Sequence, residues 1–354
     1  MHSITQTADG FLWLSASTSE IYRFDGVRFL PRTISVNGKT ITSVTRVYGD
    51  RSGGLWVFGT HDLVRLEGGK VVSHFDFDIL TDRNVSEDPD GSLWLVRGPG
   101  TGMNGPLCHV AGQGVKCFGE AEGQPIPVAA SFLRDRDGSF WIGGLRAIGH
   151  WHDGISEVYS IKALKNITGG SPLMALAQTP DGSLWAGALE TPPGLARLIQ
   201  GELKSFVTST FDGSKIPVTT MLVDRDGNVW VGSVGQGLFR IREDRVEHYG
   251  RAEGLSNDNV DALFEDKEGI LWAATPSGID SFRNPPVTTF SSLEGLGMDV
   301  AMGVLARRDG TIWVANGNSL DHIAGETVTS IRQGHGLPGE QPTAMLEDSA
   351  GNFW

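Results

Sequence analysis

A tryptophan that follows a tight polar turn and sits among apolar residues recurs along this chain, and that recurrence limits the fold more than any single residue does. Nine tryptophans stand in this setting: Trp13, Trp56, Trp94, Trp141, Trp185, Trp230, Trp272, Trp313 and Trp354. Successive ones are 43, 38, 47, 44, 45, 42, 41 and 41 residues apart. The clearest copy is DRDGNVWVGS, residues 224–233. Self-similarity at a period of about forty marks units that cannot each bury an apolar face alone and must stack on their neighbours.

Each unit reads as four short strands. One precedes the Asp-Gly turn, the second carries the Trp, the third has the form Leu-x-Arg-apolar, and the fourth follows a Gly-containing turn. In the second unit these are ITSVTRV, LWVFG, LVRLE and VVSHF, between residues 41 and 75. Glycine is 48 of 354 residues, about twice the usual share and without a triplet period, which suits many tight turns. No helical periodicity longer than two turns is found. The fold class is therefore all-β, a β-propeller of four-stranded antiparallel blades. Eight blades are expected at about 3–32, 40–77, 83–119, 126–160, 172–207, 216–250, 258–290 and 298–332, with a ninth beginning at 336–354. The third and fifth carry Gly- or Pro-rich insertions, RGPGTGMNGP (97–106) and ALETPPG (188–194). Loops of this kind often hold ligand contacts.

The formal charge of −13 and pI of about 5.1 repel phosphate backbones, so no nucleic-acid partner is expected. No apolar stretch approaches the roughly 18 residues that span a bilayer. No signal peptide is read, because ITQTADGFLW already belongs to a strand-turn-strand unit. Both ends read as cuts in a longer chain.

The side chains that catch the eye have structural explanations. A large ring on the second strand fills the gap between blades, so the Trp set is expected in the core, as is Trp151 on a third strand. The Asp-x-Asp-Gly turns (Asp88/Asp90, Asp135/Asp137, Asp224/Asp226) lack the further oxygen ligands and terminal Glu of a calcium loop. Turn chemistry accounts for them: Asp bonds nearby N–H groups and Gly takes positive φ. Third strands carry Arg23, Arg65, Arg197 and Arg240, with His109, His150 and His322 at the equivalent place. Their repetition points to bonding of a neighbouring turn carboxylate. His150 and His152 share a strand face without a third ligand nearby, so no metal is expected. CHVAGQGVKC reads as a hairpin turning at Gly112-Gln113, which sets Cys108 opposite Cys117 at a close, non-hydrogen-bonded pair. A cross-strand disulfide is expected there, suiting an oxidising compartment, with two reduced thiols the alternative. No nucleophile elbow, H-E-x-x-H, phosphate loop or Cys-base pair is present, so neither catalysis nor a cofactor is expected.

The run DRDGNVWVGSVGQGLFR (Asp224 to Arg240), with weaker copies at Asp50 to Arg65 and Asp266 to Ile279, resembles the two-component regulator propeller repeat. The segments EGLSNDNV (253–260), EGLGMDV (294–300) and HGLPGEQPT (335–343) resemble that family's linker into the next blade. Blades one and eight depart from the pattern after the Trp, with Ser15-Ala16 and Ala315-Asn316. The resemblance implies two consecutive seven-bladed propellers forming the extracytoplasmic sensor of a membrane-bound receptor, often a histidine kinase. It therefore implies that 1–295 is a first propeller of seven blades and 296–354 the start of a second. The alternative is an eight-bladed ring, with 296–354 supplying its eighth blade and closing strands. The same resemblance implies periplasmic placement, the receptor's own membrane-bound kinase portion as partner, and a full receptor capable of homodimerising.

In a propeller the first strand of each blade lines the central channel, and the residue before its first apolar position lies at one mouth. Those residues include Thr40, Asn84, Asn259, Asp299 and Gln341. Convergent polar groups around a concavity are the default ligand site, here for a small molecule or saccharide. Two rivals stand beside this sensor. Streptogramin-type lyases use similar repeats and would place a His, an acid and Mg²⁺ at the channel mouth, whereas the histidines here fall mainly on third and fourth strands. A protein-interaction scaffold is the other.

Overall fold

The computed structural model describes residues 1–16, 19–76, 84–97, 105–145, 147–152, 154–160, 173–283, 292, 295–298, 300–317, 319–325, 327–333, 335–337, 342, 344–348, 350–352 and 354. They form two compact units, Met1–Arg283 and Asn284–Trp354.

The first unit holds seven blade-forming antiparallel sheets, each built from strands consecutive in sequence, and one small two-stranded hairpin. Their first strands are Ser3–Gln6, Arg46–Gly49, Val85–Glu87, Ala129–Arg134, Leu173–Gln178, Val218–Val223 and Ala262–Glu265. Six sheets have four strands, and the seventh shows three among the described residues. The second strands alternate poorly and are almost wholly buried, as Leu55–Phe58 and Val229–Ser233 show. Both of their faces meet protein, which is why they read as continuous apolar runs.

Where the core lies decides how many blades make the ring. Seven apolar clusters occur in this unit, and each joins two consecutive blades. One of them packs Ile4, Leu12 and Leu14 of the first blade on Ala262, Trp272 and Ala274 of the seventh. The ring therefore closes at seven.

A polar latch repeats the same message. The residue after the turn's leading position donates its backbone N–H to an acid or amide ending the next blade's first strand. Arg51 N–H reaches Glu87 Oε2 at 3.0 Å, and Arg225 N–H reaches Glu265 Oε2 at 3.0 Å. Across the closure Lys267 N–H reaches Gln6 Oε1 at 2.9 Å, while Gln6 Nε2 donates to Glu268. Blade seven thus treats blade one as its next neighbour.

In four blades the Asp of the turn binds the turn and the ring together. Asp224 Oδ1 accepts the Asn228 N–H at 2.8 Å, and its Oδ2 accepts the Trp230 indole N–H at 2.8 Å. The indole bond recurs at Trp94–Asp88, Trp141–Asp135 and Trp272–Asp266. In the first blade Thr7 replaces the Asp and its hydroxyl receives Trp13. Trp56, Trp151, Trp185, Trp230 and Trp272 are buried, in keeping with a core role. Trp354, at 71% exposure in the second unit, is not.

The third-strand basic residues lie directly across from the Trp of their own blade, Arg65 opposite Trp56 and His109 opposite Trp94. Carboxylate bonding explains Arg65, whose Nε meets Asp50 Oδ2 at 2.7 Å. The others mainly stack. The His150 ring lies 4.1 Å from Trp141 and nearly parallel to it, and Arg240 sits 5.3 Å over Trp230. One face of each indole is then covered by the side chain across from it.

In the third blade the strands Leu107–Ala111 and Gly114–Phe118 pair in the register Cys108–Cys117, His109–Lys116, Val110–Val115. The two cysteines are joined as a disulfide with Cα atoms 4.0 Å apart, the narrow spacing of a non-hydrogen-bonded pair. Most of the insertion at 97–106 lies outside the described residues.

The second unit is one four-stranded antiparallel blade, Ala301–Ala306, Ile312–Asn316, Ser319–Ala324 and Thr327–Gln333, with Gly336–Leu337 added in parallel. Leu296, Val314 and Ile323 form its small core. Its first strand leaves Met302 and Val304 exposed, unlike the buried Ser3–Gln6 of the first blade. Arg308 N–H reaches Glu347 Oε2 at 3.3 Å, a latch of the same kind onto the start of a ninth repeat, and the Arg307 side chain adds the Gly351 carbonyl.

Candidate functional site

The first strands converge on a central cavity of about 480 Å³. Side chains alternate along a first strand toward its two neighbouring blades, Val47 into the core shared with the first blade and Tyr48 against that shared with the third, and both still border the cavity. The polar residues around it include His2, Arg46, Tyr48, Asn84, Thr219 and Asp261. All but Tyr48, the third of four in its strand, stand before or early in first strands, so the polar lining gathers toward that end of the ring. Deeper apolar lining comes from Ile4, Val47, Leu176 and Leu263.

Both charge signs and neutral groups meet here: Arg46, Asp261, the Asn84 amide and the threonines Thr5, Thr219 and Thr220. Tyr48 Oη donates to Glu87 Oε2 at 3.3 Å. Burial, with the Glu87 carboxylate beside it, pushes the Tyr48 phenol well above its ordinary pKa. It stays a protonated donor at any physiological pH. Thr219 Oγ1 donates to the Val260 carbonyl, tying the sixth blade to the approach of the seventh. Such a site can bind a polar molecule by several directional hydrogen bonds. No group of three or more His, Cys, Asp or Glu able to hold a metal occurs among the described residues.

Of the residues the sequence nominated, Asn84 lines the cavity. Thr40 does not: it sits exposed on a small hairpin, Ser35–Val36 with Lys39–Thr40, its hydroxyl 3.3 Å from that of Ser35. The second blade's first strand starts only at Arg46, because Ile41 and Val44 bury their side chains before the strand begins. Asn259 is also off the lining. Its Oδ1 accepts the Gly235 N–H at 2.7 Å, and its own N–H is held by Asn257, so it braces the linker. Asp261, two residues on, lines the cavity instead. Asp299 and Gln341 lie outside the described residues. Histidines do occupy third and fourth strands, as His74, His109, His150 and His248 show, yet His2 lines the cavity. Sequence reasoning missed His2, Arg46, Tyr48 and Asp261. The signal was there in part: measured back from the Asp-Gly turn, Tyr48 and Arg46 stand two and four residues before Asp50.

A ring of seven blades, six of them four-stranded among the described residues, around a polar cavity defines a β-propeller with a candidate binding site at one mouth. The family model of the two component regulator propeller matches residues 213–235 and 254–277, which hold the first two strands of the sixth and of the seventh blade. The chain carries two-component regulator propeller repeats.

Among solved structures, the extracellular domain of a hybrid two component system from B. thetaiotaomicron matches with a TM-score of 0.65 at 18% identity. That match covers 99% of this chain and 48% of the other, so the chain spans about half the length of that structure. Virginiamycin B lyase from Staphylococcus aureus matches at 14% identity and TM-score 0.60, over 79% of this chain and 93% of the lyase. PorZ, a surface component of the type-IX secretion system of Porphyromonas gingivalis, matches at 14% identity and TM-score 0.61, over 93% of this chain and 52% of PorZ. At these identities the likeness is one of fold. No curated protein matches the chain in sequence.

Proposed function

We propose that this chain is the ligand-sensing, non-catalytic propeller of an extracytoplasmic two-component receptor, and that a small molecule or saccharide binds at the mouth of its central channel. The observation that carries the reading is the cavity of about 480 Å³ rimmed by Arg46, Tyr48, Asn84 and Asp261, within the usual size range for small-ligand sites. The propeller repeats and the likeness to an extracellular two-component domain support the sensor class. On this reading the ring is a rigid body whose occupancy is passed to a membrane-bound kinase portion of the same receptor. The disulfide fits an oxidising, extracytoplasmic setting. Residues 296–354 would open a second ring, whose further blades cover Met302 and Val304.

A thermal-shift screen of saccharides and small polar metabolites against the purified chain tests the site. A hit should raise the melting temperature of the wild type, and Asn84→Ala with Asp261→Ala together should remove the shift. A shift that survives both changes places the ligand elsewhere.

The lyase reading keeps one specific observation, since His2 and Asp261 both line the cavity. Metal-dependent turnover of a streptogramin that is lost in His2→Ala would favour the enzyme; a hit that binds unchanged favours the sensor.

A further inference from the structure

The cleft between the first and second blades, beside the Asp-Gly turns and thus at the other end of the first strands from the central cavity, holds two arginines that form no ion pair among the described residues. It encloses about 560 Å³. Arg23 and Arg32 both line it against a single carboxylate, Asp9, which accepts the Thr7 hydroxyl, so the lining keeps one net positive charge. Register explains their meeting. Arg32 pairs directly with Ile21, and Arg23 is two residues on from Ile21, so both guanidinium stems leave one face of the first blade.

Third-strand arginines elsewhere each meet a polar side chain, although the Nε atoms of Arg197 and Arg240, like that of Arg23, have no acceptor. Arg65 binds Asp50, Glu67 and Ser52, Arg197 binds Ser183 Oγ at 2.8 Å, and Arg240 lies 3.8 Å from Glu247. Arg23 stands where Arg65 does, but Thr7 replaces the Asp50 carboxylate, and the Thr7 hydroxyl is already given to Asp9. Arg23 stacks over Phe11 at 4.2 Å, and its buried Nε has no acceptor. The walls below are apolar: Trp13, Ile34, Leu55 and Leu66. The second-blade side is closed by Gly53, Gly68 and Gly69, whose lack of side chains keeps the cleft open.

We propose that this cleft is a subsite for a small organic carboxylate, with Arg23 and Arg32 holding the carboxylate and the apolar body of the ligand lying against Trp13, Leu55 and Leu66. A planar guanidinium pair matches a carboxylate's two oxygens, and stacking on Phe11 holds Arg23 in place for it. The site is independent of the channel mouth and stands whether or not the sensor reading does.

Benzoate is the probe, with benzamide as its uncharged isostere, titrated calorimetrically into the purified chain. Benzoate should bind with a Kd on the order of 1 mM or tighter, and benzamide at least about tenfold more weakly. Arg32→Gln, on an exposed outer strand, should weaken benzoate at least about tenfold, and Arg23→Gln likewise. Arg28→Gln, which removes an exposed charge outside the cleft, should change nothing beyond screening. Circular dichroism of each variant keeps loss of fold apart from loss of binding, and Arg32→Gln alone suffices if Arg23→Gln fails to fold. Equal binding of benzamide, unchanged binding in Arg32→Gln, or equal displacement by inorganic sulfate would each overturn the proposal.

Discussion

Replacing Trp230 by Phe and Trp56 by Phe should have very different costs, although the two rings occupy equivalent places in their blades. Each indole is 5% exposed, so the loss of packing on shrinking to a phenyl ring is common to both. The N–H groups differ. Trp230 donates to the Asp224 carboxylate at 2.8 Å. Trp56 has no acceptor, because Arg65 has taken the Asp50 oxygen that would meet it. Removing a hydrogen bond to a charged group costs about 1.5–3 kcal/mol, and a buried donor left unmade costs about 1–3 kcal/mol. Trp230→Phe therefore loses the first quantity, whereas Trp56→Phe regains the second. The difference between the variants should be about 3 kcal/mol or more, with Trp230→Phe the less stable. Urea denaturation followed by far-UV circular dichroism measures it, and a cycle with Asp224→Asn isolates the Trp230 bond. Equal midpoints for the two variants, or a coupling between positions 224 and 230 below about 0.5 kcal/mol, would show that the turn carboxylate is not what fixes the ring.

Three further expectations follow from the fold. Cys108→Ser with Cys117→Ser opens a short cross-link and should cost about 2.5 kcal/mol by loop-entropy arithmetic; the same drop in urea midpoint should appear on adding reductant to the wild type and not to the variant. Gln6→Ala orphans the Lys267 N–H and should cost about 1–3 kcal/mol, with faster amide exchange concentrated in the first and seventh blades; exchange spread evenly round the ring would mean that closure lies elsewhere. Asp50 resists ionisation through burial, but hydrogen bonds from Arg65, Ser52 and the Gly54 N–H outweigh that and hold its carboxyl below the usual range. A depressed folded pKa stabilises above the unfolded value of about 3.9 and is lost as pH falls through the folded one. Stability should thus decline below about pH 4, and Asp50→Asn should flatten that decline.

The repeating Trp and the Asp-Gly turns were enough to determine four-stranded blades. Strand order within a blade is local: each strand pairs with the next across a short turn, and period-two alternation assigns its faces. The hairpin around Gly112-Gln113 set Cys108 against Cys117 for the same reason. The latch residues Gln6, Glu87 and Glu265 could also have been read, as an acid or amide one place before each turn's leading residue.

The number of blades in the ring was beyond such reading, because every interblade surface is similar in composition. Only the packing of Ile4 and Leu14 on Trp272 and Ala274, together with Lys267 on Gln6, shows that the seventh blade finds the first. The channel rim was legible only in part. Asn84 came through, but Thr40 and Asn259 were displaced by residues that bury or brace before the strand starts. Where a strand begins is decided by which apolar side chains the neighbouring blade can accept, and that neighbour stands about forty residues away in the chain. The Arg23 guanidinium, which forms no ion pair among the described residues, is of the same kind. Its sequence position looks like that of Arg65, and only the three-dimensional register shows that Thr7 leaves it without the carboxylate that Asp50 supplies one blade on.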